Sequence, residues 1–181
     1  MRKTFKANNY LYPQPVLVIT SYDKDKNPDI MTAAWGGITD YNQISIALSN
    51  HQTTENIINN RYFSVSIGTV DTVVSCDYVG LVSLKDDKEK INKSGFTIIE
   101  SENNIPLIKE LPLALECEAI EYSNEVLKAK ILNVNCDESI LSNGEIDPSK
   151  LNAIVYDPIN HTYLSLGSII GYAFKAGFKR Q

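Results

Sequence analysis

The chain has 181 residues, 43% of them hydrophobic and 22% charged, with a formal charge of −5 at pH 7; this is the profile of a soluble globular protein long enough for one well-buried core. We therefore expect a single domain over residues 1–181, and the negative balance excludes broad electrostatic attraction to nucleic-acid phosphates. No window approaches the roughly 18 uninterrupted apolar residues of a membrane span, and MRKTFKANNY has no apolar segment behind its basic residues, so the cytoplasm is the expected compartment.

Pro15 to Thr20, PVLVIT, is an apolar, β-branched run, and the DKDKNP that follows carries turn chemistry. A hairpin is expected, with NPDIMTAAWGG, residues 27–37, as its second arm. QISIALS alternates Ile44, Ile46 and Leu48 with smaller or polar neighbours, and YFSVSIG alternates Phe63, Val65 and Ile67 with Ser64 and Ser66, so both read as half-buried strands. Between them, Thr53 to Asn60 reads as a short helix packed on a sheet edge, with Thr hydroxyls at its start, Glu55 in its first turn, and Ile57 and Ile58 to bury. TVVSCDYVGLVS and KDDKEKINKSG form a second, irregular helical region ending at Gly95, a C-cap residue. LPLALECEAIEYS and EVLKAKILNVNCDES then read as two long antiparallel strands joined near Ser123 and Asn124, and IVYDPINHTYLSLG repeats the arrangement on a smaller scale. Strands outnumber helices and short turns join them, so the expected class is mainly β, an antiparallel barrel with a few peripheral helices.

The residues that usually mark chemistry are sparse. GxSxG, a Walker A loop and GxGxxG are all absent, and His51 and His161 stand 110 positions apart without carboxylates in ligand spacing, so no metal site is expected. Cys76, Cys117 and Cys136 form no CxxC pair and are read as buried free thiols.

Two strips stand out instead. The small side chains of Met31–Thr32–Ala33–Ala34–Trp35 leave backbone N–H groups open to a flat polar ring, with the Thr32 hydroxyl and the Trp35 indole beside them; packing of Trp35 in the core is the competing reading. SNHQTT places Ser49, Asn50, Thr53 and Thr54 at a helix start, where free N–H groups and the helix dipole favour an anion such as phosphate. Ser83, Lys85, Lys88 and Lys90 add a hydroxyl and ammonium cluster able to meet the same anion. A ring site beside a phosphate site describes a mononucleotide.

With PQPVLVITSYDKDKNPDIMTAAWGG, SIALSNHQTTENIINN, FSVSI, CDYVGLVSLKDDKEKINKSGF, IPLIKELPLALECE and VYDPINHTYLSLGSIIGYAF in order, residues 10 to 177 resemble the flavin reductase-like family, flavoredoxins among them. The resemblance implies an FMN-binding split β-barrel that forms a homodimer with the flavin near the interface. It implies that Met31 to Trp35 border the isoalloxazine, that Ser49, Asn50 and Thr53 or Thr54 serve the cofactor, and that Lys85 or Lys90 meets the phosphate, one inserted residue separating the two alignments. It also implies an oxidoreductase without a dedicated catalytic side chain, drawing electrons from NAD(P)H or a redox protein and passing them to flavin, ferric iron or another acceptor; a non-enzymatic FMN electron carrier is the alternative. Two positions depart from the family pattern. Asp29 replaces a common Asn, so its carboxylate either disfavours an anionic reduced flavin or points elsewhere, and Asn124 replaces a common His.

Overall fold

The computed structural model describes residues 1–180. In chain order its elements begin with β1 (Gln14–Pro15), β2 (Leu17–Tyr22), β3 (Pro28–Ala33), β4 (Gly36–Asp40), β5 (Gln43–Ala47), α1 (Gln52–Asn60) and β6 (Tyr62–Ile67). There follow α2 (Val73–Leu81), α3 (Lys90–Ser94), β7 (Ile98–Glu100), β8 (Pro106–Ile108), β9 (Leu113–Ser123) and β10 (Val126–Cys136). The chain closes with β11 (Leu141–Ser142), β12 (Glu145–Ile146), α4 (Pro148–Leu151), β13 (Ile154–Asp157) and β14 (Thr162–Ser165).

The main sheet is antiparallel with the order β3-β2-β6-β9-β10-β5-β4, so β3 and β4 lie on its opposite edges. Only Ala34 and Trp35 separate those edges in sequence, and the link from Ala33 to Gly36 spans at most about 11 Å. The sheet must therefore curl until its edges nearly meet, which makes the half-closed barrel of a split-barrel fold. Gly36 lies at that corner: a Cβ there would come within 2.7 Å of Leu17 Cδ1 and 3.3 Å of the Ser45 carbonyl. The expected second hairpin arm, residues 27–37, accordingly ends at Ala33, and its last residues open β4 instead.

Because β2 is paired on both sides, with β3 and β6, alternate side chains of β2 and of Val16 just before it enter different cores. Leu17 and Ile19 join Ile44, Ile46, Phe63, Val65 and Leu127 inside the curl. Val16 and Val18 join Cys76, Val79, Phe96, Ile108 and Ile154 on the other face, under α2 and the segments after it. This second layer overturns the half-buried reading of β6: Ser64 and Ser66 are fully buried, Ser64 donating to the Pro106 carbonyl. The α1 helix also departs from expectation. Ile57 plugs the inner core while Ile58, expected to be buried, stays half exposed, and the helix packs against β2 and the edge strand β3.

The long hairpin of β9 and β10 turns at Asn124 and Glu125, both at positive φ (49° and 59°). That conformation suits a two-residue hairpin loop and gives Asn124 a local reason to be there. Gly95 caps α3 at φ 77° as expected. Cys76 and Cys117 are buried, whereas Cys136, also expected to be buried, is exposed at the end of β10. Among the described residues, no helix is long and apolar enough to cross a membrane.

Candidate functional site

As an edge strand, β3 turns the N–H and C=O of alternate residues away from β2. Ile30 identifies the outward set: its N–H donates to the Asp29 carboxylate (2.8 Å) and its carbonyl accepts from Lys90 Nζ. The period of two makes Thr32 the next outward residue, opposite Val18 in the register. Ala34, just past the strand, has no backbone acceptor for its N–H among the described residues. The Thr32 hydroxyl, which the sequence offered to a ligand, is already used; it donates to the Cys76 carbonyl at 2.6 Å and ties α2 to β3.

Along this edge lies a cavity of about 340 Å³, lined by Thr32, Ala33 and Ala34 and by Gly80, Leu81, Asp77, Tyr156, His161 and Tyr163. Gly80 keeps it open at close range: a Cβ there would stand 3.2 Å from Thr32 Cβ. A second cavity, about 120 Å³, shares the lining residues Thr32, Gly80 and Leu81 with the first, so the two adjoin. It adds Asp29, Met31, His51, Gln52, Thr53, Ser83 and Lys90.

The start of α1 faces this smaller cavity. His51 makes no side-chain capping bond, and the N–H groups of Gln52, Thr53 and Thr54 have no protein acceptor among the described residues. Free N–H groups at the positive end of a helix dipole are an anion site in waiting. Beneath them Asp29 and Lys90, only 2% and 3% exposed, form an ion pair at 3.5 Å, and Thr53 Oγ1 donates to the same carboxylate at 2.8 Å. Burial pushes the Lys90 pKa down and Asp29 opposes that shift. The carboxylate is thus answered within its own pocket.

The remaining expected residues are placed differently. Thr54 is buried, and its hydroxyl donates to the Ser49 carbonyl (2.8 Å), which also accepts from the His51 N–H; Ser49 and Asn50 are exposed and line neither cavity. Lys85 pairs with Glu55 at 3.2 Å on the surface, its own N–H going to Ser83 Oγ, and Lys88 also lies outside both cavities. Trp35 is 55% exposed, so it is not the core residue of the packing reading. It lines a separate, more apolar groove of about 440 Å³ with Leu11, Gln14, Ile38 and Thr39, because the chain turns at Ala34 to begin β4. Sequence reading missed Gly80, Leu81, Asp77, Tyr156 and Tyr163. The aromatic spacing in YDPINHTY was visible, but only the β1–β13 pairing brings it beside β3.

A family model described as the flavin reductase like domain matches residues 9–152. Flavoredoxin of Desulfovibrio vulgaris (Miyazaki F) is similar in structure at a TM-score of 0.92 and 30% identity, covering 98% of this chain and 100% of its own. Flavoredoxin from Methanosarcina acetivorans gives 0.85 and 28%, covering 99% and 100%. The FMN-binding domain of a flavin reductases-like enzyme from Shewanella baltica gives 0.79 and 19%, covering 88% and 89%, and shows the fold alone. No curated protein matches the chain significantly.

Proposed function

The chain belongs to the flavin reductase-like family, and from that membership we propose that it is an FMN-dependent oxidoreductase. Electrons enter from NAD(P)H or a reduced protein donor and leave to flavin, ferric iron or another acceptor. The observation that carries this reading is that the two cavities adjoin at Thr32, Gly80 and Leu81. One offers outward strand-edge donors for the polar rim of a planar ring, and the other an uncapped helix start for a phosphate.

When bound, FMN supplies hydride and single-electron exchange at its N5. The chain's own groups bind and orient it. The Thr32 and Ala34 N–H groups serve the ring edge, the small Ala33 and Gly80 leave room for it, and the first-turn N–H groups of α1 serve the phosphate. Lys90 contributes positive charge from below, and Asp29 tempers it. A bare carboxylate would oppose negative charge on a reduced ring; paired with Lys90 at 3.5 Å, Asp29 opposes it much less.

We further propose a homodimer with the flavin near the interface. Trp35, Ile38 and Tyr41 around the β4 edge, and Ile169, Ile170, Tyr172 and Phe174 in the last segment, are exposed apolar side chains in need of cover. The second reading is a non-enzymatic FMN electron-transfer protein, favoured by the absence of a nicotinamide fingerprint from the sequence.

Anaerobic addition of NADH and of NADPH to the FMN-loaded protein tests the choice. Rapid bleaching of the flavin band supports the oxidoreductase; no bleaching, with fast reduction by a ferredoxin-like donor, supports the carrier. A preparation that fails to bind added FMN overturns both.

A further inference from the structure

Residues 166–178 follow β14 along the surface, and every one of them is exposed, Ile170 and Phe174 almost completely. Their backbone hydrogen bonds are local: the Tyr172 carbonyl accepts from the N–H groups of Lys175 and Ala176, and none reaches another element among the described residues. A segment that carries Ile169, Ile170, Tyr172 and Phe174 in water is an apolar surface in want of a partner.

The Trp35 groove, about 440 Å³, has the complementary character. Its floor is β4 with Trp35 before it, and Asn9 and Leu11 form a wall. β4 is an edge strand that pairs with β5 alone. The Ala47 N–H donates to the Trp35 carbonyl (2.8 Å), so Trp35 and Gly37 face β5, and Gly36 and Ile38 turn their N–H and C=O outward. Those outward groups have no partner among the described residues. Gly37 keeps the strand bare, since a Cβ there would meet nothing within 4 Å.

Charge separates the two surfaces. Residues 158–181 contain Lys175, Lys179 and Arg180 and no Asp or Glu; residues 1–22 contain Arg2, Lys3 and Lys6 and none either. All 22 acidic residues therefore lie in 23–157 with the other 11 basic ones, which gives that body a net −11. The segment is thus attracted to the body of a second copy. Within its own chain it starts at β14, on the far side of β13 from β1, whose Gln14 lines the groove. Its thirteen residues reach at most about 45 Å, enough to cross to a neighbouring copy.

We propose that residues 166–178 of each copy lie in the Trp35 groove of the other, a reciprocal exchange of arms about a two-fold axis. The inference rests on the homodimer reading above and adds to it the segment that crosses and the strand that receives it. The arm's apolar side chains cover Trp35 and Ile38, and its main chain meets the outward groups of Gly36 and Ile38 as an added strand does. An anionic membrane also attracts basic, apolar segments, but it repels a body of −11.

Photocrosslinking reads the exchange directly. Phe174→p-benzoylphenylalanine, irradiated in a mixture of ¹⁵N-labelled and unlabelled chains, is expected to give an adduct of two chains linked to residues 35–41 of the other copy. Links within one chain, or to another face of the partner, would overturn the exchange. Ile170→Asp and Phe174→Asp should leave the circular dichroism spectrum as in wild type. In sedimentation each should raise the dimer dissociation constant by about 100-fold or more, because a substitution acts twice in a two-fold dimer. Trp35 is the chain's only tryptophan, so without added FMN its emission should shift to the red and be quenched more strongly by acrylamide in both variants. Unchanged dissociation constants would overturn the exchange and leave the homodimer reading standing; a monomeric wild type would remove both. A monomer that binds phosphatidylcholine and phosphatidylserine vesicles, with binding lost in the same variants, would assign the segment to a membrane and overturn the exchange.

Discussion

Gln52 is the residue where the phosphate reading can be tested with least disturbance. It is the first helical residue of α1, its N–H is free, and His51 before it is already extended (φ −109°, ψ 164°), so proline fits there without breaking the helix. Gln52→Pro deletes one charge-facing N–H, worth roughly 1.5–3 kcal/mol toward an anion, so FMN should bind about 10- to 100-fold more weakly. Riboflavin, which lacks the phosphate, should bind as before; equal losses in fluorescence titrations would place the phosphate elsewhere. Asp29 makes the complementary case. Asp29→Asn leaves the Lys90 charge unanswered beside the flavin pocket, so the flavin midpoint potential should rise in a dye-equilibrated titration, and loss of one partner of a buried pair should cost stability of about 3 kcal/mol. An unchanged potential would show that the pair does not sense the ring. At this scale the sequence pointed to strips that line the two cavities but not to the atoms left free there. The threonines at the helix start and Lys90 were legible as residues, yet Thr53 serves Asp29, Thr54 serves Ser49 and the Thr32 hydroxyl serves Cys76, all contacts between residues distant in sequence or fixed by backbone direction.

Among the elements, the curl depends on its corner and on one buried carboxylate. Gly36→Ala forces a Cβ toward Leu17 and the Ser45 backbone, and overpacking of this kind should cost about 1–3 kcal/mol, read from urea unfolding. Glu116 on β9 is 1% exposed and accepts from Asn103 (2.7 Å) on the loop before β8 and from Asn133 (3.2 Å) and Asn135 on β10. Burial alone would raise its pKa; the hydrogen bonds from Asn103, Asn133, Ser101 and Asn135 outweigh that and bring it below the usual carboxylate value. A folded pKa below the unfolded one means stability that is present above the unfolded value and lost as pH falls through the folded one. Glu116→Gln turns an NH2 donor toward three amides that themselves donate, so it should lower stability by about 1–3 kcal/mol near neutral pH and flatten the acid limb of the stability curve. An acid limb identical to wild type would remove Glu116 from that role. Periodicity revealed most of these strands because apolar alternation is local. It misassigned β6, since Ser64 and Ser66 look like solvent-facing residues until the segment around Pro106 covers them.

At the level of the whole molecule, the barrel, the shared wall of the two cavities and the apolar surface belong to one arrangement. The fold class was legible from strand count and short turns, whereas the meeting of β13 with β1 and the closure of β3 toward β4 depend on long-range pairing that no local pattern carries. Exposed Trp35, Ile38, Tyr41, Ile169 and Ile170 should be covered in solution, so light scattering should return twice the mass of one chain; a monomer would leave the flavin site to a single subunit. The most direct test of the central claim is a crystal structure of the protein with FMN. We expect the ring edge on the N–H groups of Thr32 and Ala34 and the phosphate on those of Gln52 to Thr54. A ring seated away from Thr32 to Ala34, or a phosphate away from the start of α1, would contradict it.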